Sequence, residues 1–327
     1  MNRPVTDPVT TPCLAQARVA GEDILEALGA RCAALGLTAL ETVAAAGSLG
    51  RLEITARSDF DALFVARPAA EPHRVAEEIA AVLDAAGACG LVPPKADGIY
   101  RDAITRAALL DRQAHGRLDE APAVFGKRMQ CLLDARPLYG KATFDALRLA
   151  VLDWYLGADV DAADLLNDLK RYLHGYAAWQ HHKHSRSSTD SWALRQAKLR
   201  SVRLLTFAGL LMLLGASSRL PPAGRATWLA ARLDATPLER IAEVMEEFDP
   251  VAFQRLLADY EFCFARLADP TFRRRLVAAG SDHAALAELT PVTTRLLHEL
   301  TAFVLARRDE WHADFFSGLV FWATPHS

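Results

Sequence analysis

The chain has 327 residues, of which 51% are hydrophobic and 24% charged, and its formal net charge is −3. These values are typical of a globular protein long enough for two domains, and they exclude a disordered chain. The small net charge gives no global attraction to nucleic acids or anionic membranes, so such a partner needs a local patch. The five scattered cysteines include no C-x-x-C pair, which argues against a disulfide framework or zinc site and favours a reducing cytoplasm.

The first segments predict a tail and a helix. The first twelve residues are polar, contain three prolines and lack the apolar core of a secretory signal. We therefore expect a flexible tail over residues 1–20. From Gly21 to Leu35 apolar residues recur at the helical period, which predicts a helix.

Two strands with a turn between them form the most informative stretch. Leu40 to Ala46 is a mostly apolar run that ends in Gly47-Ser48-Leu49-Gly50-Arg51, which predicts a buried strand entering a tight turn. Asp59 to Val65 predicts a second strand, whose two-residue period puts Asp59 and Asp61 on one face. Two adjacent carboxylates are a predicted metal site.

A small α/β domain is expected to continue to about residue 140. A helix is predicted from Glu71 to Ala86, and a third strand begins at Leu91-Val92 before two prolines. A polar turn that contains Asp97 follows. Alternation of strand, helix and strand indicates an α/β arrangement.

The rest of the chain predicts helices. Apolar residues recur at i, i+3 and i+4 in eight segments, namely Ala123–Arg136, Ala142–Leu156, Ala162–Trp179, Ser191–Ala216, Pro237–Glu247, Val251–Leu267, Thr271–Ala279 and Thr293–Phe315. Leu204 to Ser218 is almost wholly apolar, but its 15 residues fall short of the roughly 20 that cross a bilayer. We expect a buried core helix there and no membrane partner.

The turn and the carboxylate pair suit nucleotidyl transfer. Attack on the α-phosphate of a nucleoside triphosphate, with departure of pyrophosphate, builds negative charge that Mg²⁺ or Mn²⁺ neutralises. Asp59 and Asp61 are the predicted metal ligands and catalytic residues. Gly47 and Ser48 would bind the departing phosphates through backbone N–H groups and a hydroxyl, with Arg51 adding positive charge.

The pattern Gly47-Ser48-x10-Asp59-x-Asp61 resembles the signature of the DNA polymerase β-type nucleotidyltransferase superfamily. Gly-Ser-Leu-Gly-Arg is similar to the branch around protein-PII uridylyltransferase and its uncharacterised, often CBS-linked relatives. Three later segments, Arg128–Gly140 (read as a helix), Leu166–Tyr172 and Trp192–Arg200, are similar to segments of those relatives in the same order. The resemblance covers roughly residues 20 to 215. It implies magnesium-dependent transfer from a triphosphate, with ATP or UTP expected.

The third carboxylate of the superfamily has no clear counterpart. The resemblance requires an acidic residue on a strand after the intervening helix, and Asp97 is the expected one, with Asp102 and Asp111 as substitutes. If none of them reaches the metal ions, the domain would bind nucleotide without turning it over. The site prediction therefore leaves an inactive nucleotide sensor open.

Basic residues accumulate in residues 169–203, where eight Lys or Arg stand against one acid. Arg195 and Lys198, three residues apart on one helical face, are predicted to reach the triphosphate or a polyanionic acceptor. A solvated helix face is the alternative. Arg51 is likewise either a phosphate contact or a solvated cation, and Asp134 with Arg136 is expected to form an ion pair.

Together these observations predict an α+β protein with a tail (1–20), a mixed-sheet nucleotidyltransferase domain (21–140) and an all-helical bundle domain (141–327). The expected activity is transfer of a nucleoside monophosphate to a protein, RNA or small molecule, in the cytoplasm. Two alternatives remain, a catalytically inactive nucleotide-sensing protein on the same fold and an RNA-binding or antitoxin-like module. A protein acceptor is preferred over nucleic acid.

Overall fold

The computed structural model describes residues 5–7, 9–56, 58–94, 100–113, 119–157, 162–185, 192–279 and 283–320, without the side chains at 162, 183–185 and 283. The helices are α1 (Pro12–Ala34), α2 (Gly47–Gly50), α3 (Pro72–Ala88), α4 (Arg106–Leu109), α5 (Pro122–Leu133), α6 (Lys141–Leu156), α7 (Ala162–Ser185), α8 (Trp192–Lys198), α9 (Leu204–Ser217), α10 (Pro222–Ala230), α11 (Pro237–Phe248), α12 (Pro250–Ala268), α13 (Pro270–Ala278), α14 (Thr290–Ala306) and α15 (Ala313–Val320). A π-helix, Leu199–Arg203, joins α8 to α9, and a 3₁₀ turn spans His283–Leu286.

A four-stranded mixed sheet accompanies the helices. Its strands are β1 (Leu40–Ala46), β2 (Asp61–Ala66), β3 (Ala103–Thr105) and β4 (Arg136–Tyr139), in the order β3-β2-β1-β4. β1 is antiparallel to both β2 and β4, and β3 runs parallel to β2. A small mixed sheet among many helices confirms the predicted α+β class.

The described residues group into two compact units. One unit, the sheet unit, comprises Ala17–Ala162 and Pro221–Thr236 and contains the whole sheet. The other, the helical unit, comprises Met1–Gln16, Ala163–Leu220 and Pro237–Ser327. These bounds are not the predicted domain bounds, and the division into a nucleotidyltransferase domain and a bundle domain stays a prediction.

The sheet unit is organised around β1, whose residues are buried except for a half-buried Glu41. Apolar side chains of β1 and β2 pack with α1 and α3 in one hydrophobic core that includes Leu28, Val43, Phe64 and Val82. Burying such side chains contributes about 1.5–3 kcal/mol each. This packing fixes the register of β1 against β2, and with it the place where both strands reach the turn after Ala46.

In the helical unit, α8, the π-helix and α9 form one continuous helix, Trp192–Ser217. Its 26 residues are long and apolar enough to cross a membrane. The shortness of the apolar run from Leu204 to Ser218 therefore does not exclude a membrane span. Length and composition are weak evidence for a membrane span, because the buried core helix of a soluble protein can have the same length and apolar composition. Two thirds of the most apolar window is buried, as in a core helix.

Four local predictions need correction. The first helix begins at Pro12, within the stretch expected to be a tail. Val92 forms only a single bridge with Asp59, and the third strand is β3, eleven residues further on. The predicted helix to Arg136 ends at Leu133, and β4 follows it as an unpredicted strand. The last predicted helix is two helices, α14 and α15.

Candidate functional site

The turn after β1 lies directly against the carboxylate of Asp61. Ala46 pairs with Asp61 across the β1–β2 ladder, and Gly47 follows with φ of 64°. A Cβ atom on Gly47 would lie 2.5 Å from Asp61 Oδ2. Only glycine fits both this backbone conformation and this close approach.

Asp59 and Asp61 flank Phe60, which is fully buried in the core with Ala62 and Phe64. Because side chains alternate along extended chain, both aspartates lie on the sheet face away from that core. The Phe60 N–H donates to the Val92 carbonyl at 2.8 Å, which keeps this segment extended before β2 begins. Asp59 is exposed and Asp61 half-buried.

The short helix α2 holds Ser48 next to this pair of strands. The Arg51 N–H donates to the Gly47 carbonyl at 3.1 Å, and the Glu53 N–H donates to the Ser48 carbonyl at 2.8 Å. The Ser48 side chain is half-buried. These bonds fix the turn, so Gly47 and Ser48 lie where β1 ends, next to Asp61 at the start of β2.

Arg51 forms two buried ion pairs within the sheet unit. It is 7% exposed, its Nε donates to Glu53 Oε2 and its Nη1 to Asp134 Oδ2, both at 2.7 Å. A Cβ on Gly50 would lie 2.0 Å from the Asp134 carbonyl oxygen, so the two segments touch through their backbones. Asp134 thus pairs with Arg51, not with Arg136 as expected, and this geometry gives Arg51 a structural role.

The structure describes two of the three residues expected to supply a third carboxylate. Asp97 lies outside the described residues. Asp102 immediately precedes β3, whose Ala103 pairs with Phe64 and packs on the same core. Asp102 itself lies in a bend and its side chain is exposed, so the alternation of β3 does not extend to it.

Asp111 follows α4 and accepts a hydrogen bond from the Gln113 N–H at 2.9 Å, as a turn cap does. Of the two substitutes named from the sequence, Asp102 is the nearer to the sheet, and neither forms a group of three potential metal ligands with Asp59 and Asp61.

Two residues that sequence reasoning missed contact the segment before β3. Lys127 in α5 is 1% exposed, and its Nζ donates to the Asp102 carbonyl at 2.5 Å. Burial lowers the pKa of Lys127, and the Asp102 charge offsets part of that change. Gln130, one turn later, donates to the Tyr100 hydroxyl. A lysine within an amphipathic helix carries no signal of burial, so only the packing reveals it.

Arg195 and Lys198 lie at the end of α8, in the helical unit. Arg195 is half-buried and donates to Gln180, whereas Lys198 is exposed. Their proposed reach to a triphosphate stays a prediction.

The donor set suits a hard cation. Among the residues that the structure describes, no three His, Cys, Asp or Glu side chains form a group that could hold a metal ion. Magnesium is nonetheless commonly held by one or two carboxylates together with water and the phosphates of its substrate. Asp59 and Asp61, both oxygen donors on one face, fit that mode of binding.

The chain matches no protein-family model and no curated protein.

Proposed function

We propose that the protein is a metal-dependent nucleotidyltransferase that moves a nucleoside monophosphate from a triphosphate to an acceptor. In this reaction an acceptor oxygen or nitrogen bonds to the α-phosphorus, the bond from that phosphorus to the bridging oxygen breaks, and pyrophosphate leaves with the bond's electrons. The acceptor loses one proton. ATP or UTP is the expected donor.

One observation carries this proposal. The Gly47-Ser48 turn touches the Asp61 carboxylate, at 2.5 Å from a Cβ built on Gly47, and Asp59 lies two residues before Asp61 on the same face. A glycine turn beside paired carboxylates combines backbone donors for phosphate with oxygen ligands for a cation.

Each residue then has a defined part. Asp59 and Asp61 would hold Mg²⁺ or Mn²⁺, with Asp97 as the expected third carboxylate. Gly47 lets the backbone approach the β- and γ-phosphates, and Ser48 adds a hydroxyl donor. When bound, the metal neutralises charge on the phosphate oxygens as the bond to pyrophosphate lengthens.

The test is transfer of label from each α-³²P nucleoside triphosphate, with Mg²⁺ or Mn²⁺, to the components of a cell extract. Wild type is expected to label an acceptor, and Asp59→Ala and Asp61→Ala to abolish the label. No labelling by wild type, or equal labelling by both variants, contradicts transfer.

An inactive nucleotide sensor uses the same turn and carboxylates without transfer. Metal-dependent binding of ATP or UTP by wild type, lost in Asp61→Ala, together with no labelled acceptor, would favour the sensor.

A second candidate is nucleic-acid binding by the helical unit. Tyr172 and Tyr176 stack on α7 with centroids 6.3 Å apart, Trp179 follows at 6.0 Å, and the Arg203 guanidinium lies 5.0 Å from the Tyr176 ring. Aromatic rings with arginine are the usual means of holding single-stranded bases. Salt-sensitive binding of a single-stranded RNA that falls in Tyr176→Ala would support this candidate, and salt-independent or absent binding would exclude it.

A further inference from the structure

The helical unit carries a basic surface, formed by two segments that pack against each other. One segment is α8 with the π-helix, which holds four Lys or Arg residues, and the other is α13, which holds three. Neither segment contains an Asp or Glu. Because α13 packs against α8, the two basic segments are adjacent. In a chain whose formal net charge is −3, they form a local concentration of positive charge.

Arginines elsewhere in the helical unit show how the fold neutralises an exposed cation. Arg255 of α12 pairs with Glu299 of α14 at 3.0 Å, and its side chain is more than half exposed. Arg295 of α14 pairs with Asp259 of α12 at 2.6 Å and is exposed to the same extent. Each of these guanidiniums therefore has a carboxylate of its own.

Arg200 and Arg274, both exposed on the basic surface, contact hydroxyl groups instead. Arg200 Nη2 donates to the Thr294 hydroxyl at 3.3 Å, and Arg274 Nη2 donates to the Thr271 hydroxyl at 3.4 Å. Among the residues that the structure describes, no carboxylate lies within ion-pair distance of either guanidinium. A hydroxyl does not neutralise the charge, so both side chains can bind a phosphate.

The carboxylate beside α13 does not neutralise this surface. Glu288 pairs with Arg275 of α13 at 3.1 Å and also with Arg266 of α12 at 2.6 Å. Two guanidiniums thus share one negative charge, which leaves a net positive charge there.

The segment formed by α8 and the π-helix also meets the aromatic rings of α7. Arg203, at the end of the π-helix, lies 5.0 Å from the Tyr176 ring, and Arg195 of α8 donates to Gln180 of α7. Trp179, which precedes Gln180, is 54% exposed. Stacking rings and basic side chains therefore lie side by side. Proteins that hold single strands combine these two features, with the bases on the rings and the phosphates on the cations.

We propose that the basic surface binds the phosphate backbone of a single-stranded nucleic acid whose bases stack on α7. This inference rests on the second candidate function, to which it adds Arg200 and Arg274 as phosphate-binding residues. A duplex fits less well, because its bases are stacked on one another and are not available to aromatic side chains.

The experiment measures the fluorescence anisotropy of a labelled oligouridylate titrated with the full chain at several salt concentrations. The slope of log affinity against log salt reports how many phosphates are neutralised, at about 0.7 per phosphate for a single strand. Arg200→Gln and Arg274→Gln should each make the slope about 0.7 shallower, and the double variant about 1.4. Arg200→Lys and Arg274→Lys should keep the wild-type slope, because they retain the charge.

Arg255→Gln is the matched control. It removes the same charge from an exposed arginine that already has a carboxylate partner, Glu299, so its slope should equal that of wild type. Tyr176→Ala should weaken binding roughly 5- to 150-fold and keep the slope, because it removes a stacking ring and no cation. All these side chains lie at least partly at the surface, so each variant should melt at about the wild-type temperature.

Three results overturn the inference. They are wild-type slopes in both Arg200→Gln and Arg274→Gln, an equally reduced slope in Arg255→Gln, and a duplex bound as tightly as the single strand. If the slopes stay at the wild-type value but Tyr176→Ala still weakens binding, only the phosphate contacts fail and the second candidate function stands. If the oligouridylate does not bind to the wild-type chain, both fail.

Discussion

Gly47 and Asp61 are in contact across the end of the β1–β2 ladder, where a Cβ on Gly47 would lie 2.5 Å from Asp61 Oδ2. The strand pairing brings the turn and the carboxylate together, and the absence of a side chain at Gly47 makes room for both. This contact links the packing of the core to the proposed chemistry.

Replacing Gly47 by alanine should therefore disable the site more than it destabilises the fold. An L-residue at this positive φ costs about 1 kcal/mol, and the added methyl must displace the Asp61 carboxylate. We expect Mn²⁺ affinity, measured by the electron paramagnetic resonance of free Mn²⁺, to fall about tenfold, as it does when other metal ligands are disturbed.

Gly36→Ala is the control for that experiment. Gly36 has a similar φ of 61°, but a Cβ there meets nothing within 4 Å. It should lower the melting temperature to a similar extent and keep Mn²⁺ affinity. Equal metal affinity in the two variants would contradict the contact with Asp61.

Chelation of divalent metal should abolish nucleotidyl transfer, and Mn²⁺ added in excess of the chelator should restore it. Because Asp59 and Asp61 lie on one face, Asp59→Asn and Asp61→Asn should each raise the Mg²⁺ concentration needed for half-maximal labelling. Asp111→Asn, which changes an exposed turn cap, should behave as wild type. An Mg²⁺ requirement that both site variants leave unchanged would sink the metal-ligand assignment.

Arg51→Met should destabilise the sheet unit whether or not nucleotide is present. The change removes the guanidinium that binds the buried carboxylates of Glu53 and Asp134, and breaking such a buried pair costs about 3–5 kcal/mol. Urea denaturation measures the free energy of unfolding.

Arg74→Met serves as its control, because the exposed Arg74–Glu77 pair is worth less than about 1 kcal/mol. A folded Arg51→Met chain of wild-type stability that has lost affinity for triphosphate would reverse the assignment, making Arg51 a phosphate ligand.

Glu78 makes stability depend on pH. Its carboxylate accepts hydrogen bonds from the backbone N–H groups of Thr38, Ala39 and Leu40 at 2.7 to 3.0 Å. Burial raises the pKa of Glu78, but the bonds from Ala39, Thr38 and Leu40 outweigh burial and bring the pKa below its ordinary value of 4.5. This stabilisation is therefore present above pH 4.5 and is lost as the pH falls through the lowered pKa of the folded state.

Glu78→Gln should lower the free energy of unfolding by about 2 kcal/mol at pH 7, since charged hydrogen bonds are lost and an amide N–H₂ faces backbone donors. The difference from wild type should shrink on acidification below pH 4.5, as urea denaturation at pH 7 and at more acidic pH would reveal. Glu77→Gln, on the exposed side of α3, should differ little from wild type at either pH. A difference that is constant with pH would refute the role of the charge.

Local sequence patterns predicted the strands whose own residues carry an apolar run or an apolar–polar alternation. The apolar run ending in Gly47 predicted β1, and the alternation after Asp59 predicted β2, although β2 begins at Asp61. They failed for β4, because Arg136-Pro137-Leu138-Tyr139 has no strand pattern and becomes a strand only by pairing with β1, more than ninety residues away. Val92 illustrates the reverse case, since its strand-like signal yields one bridge to Asp59.

The sequence by itself determined the α+β class, the turn at Gly47-Ser48 and the two aspartates on one face, because each depends on residues close together in the chain. Only the tertiary structure decided that Gly47 touches Asp61, that Arg51 is held by Asp134, and that a buried Lys127 contacts the backbone of Asp102. Those relationships join residues from 14 to more than eighty positions apart, and strand register and helix packing determine them, which no local pattern specifies.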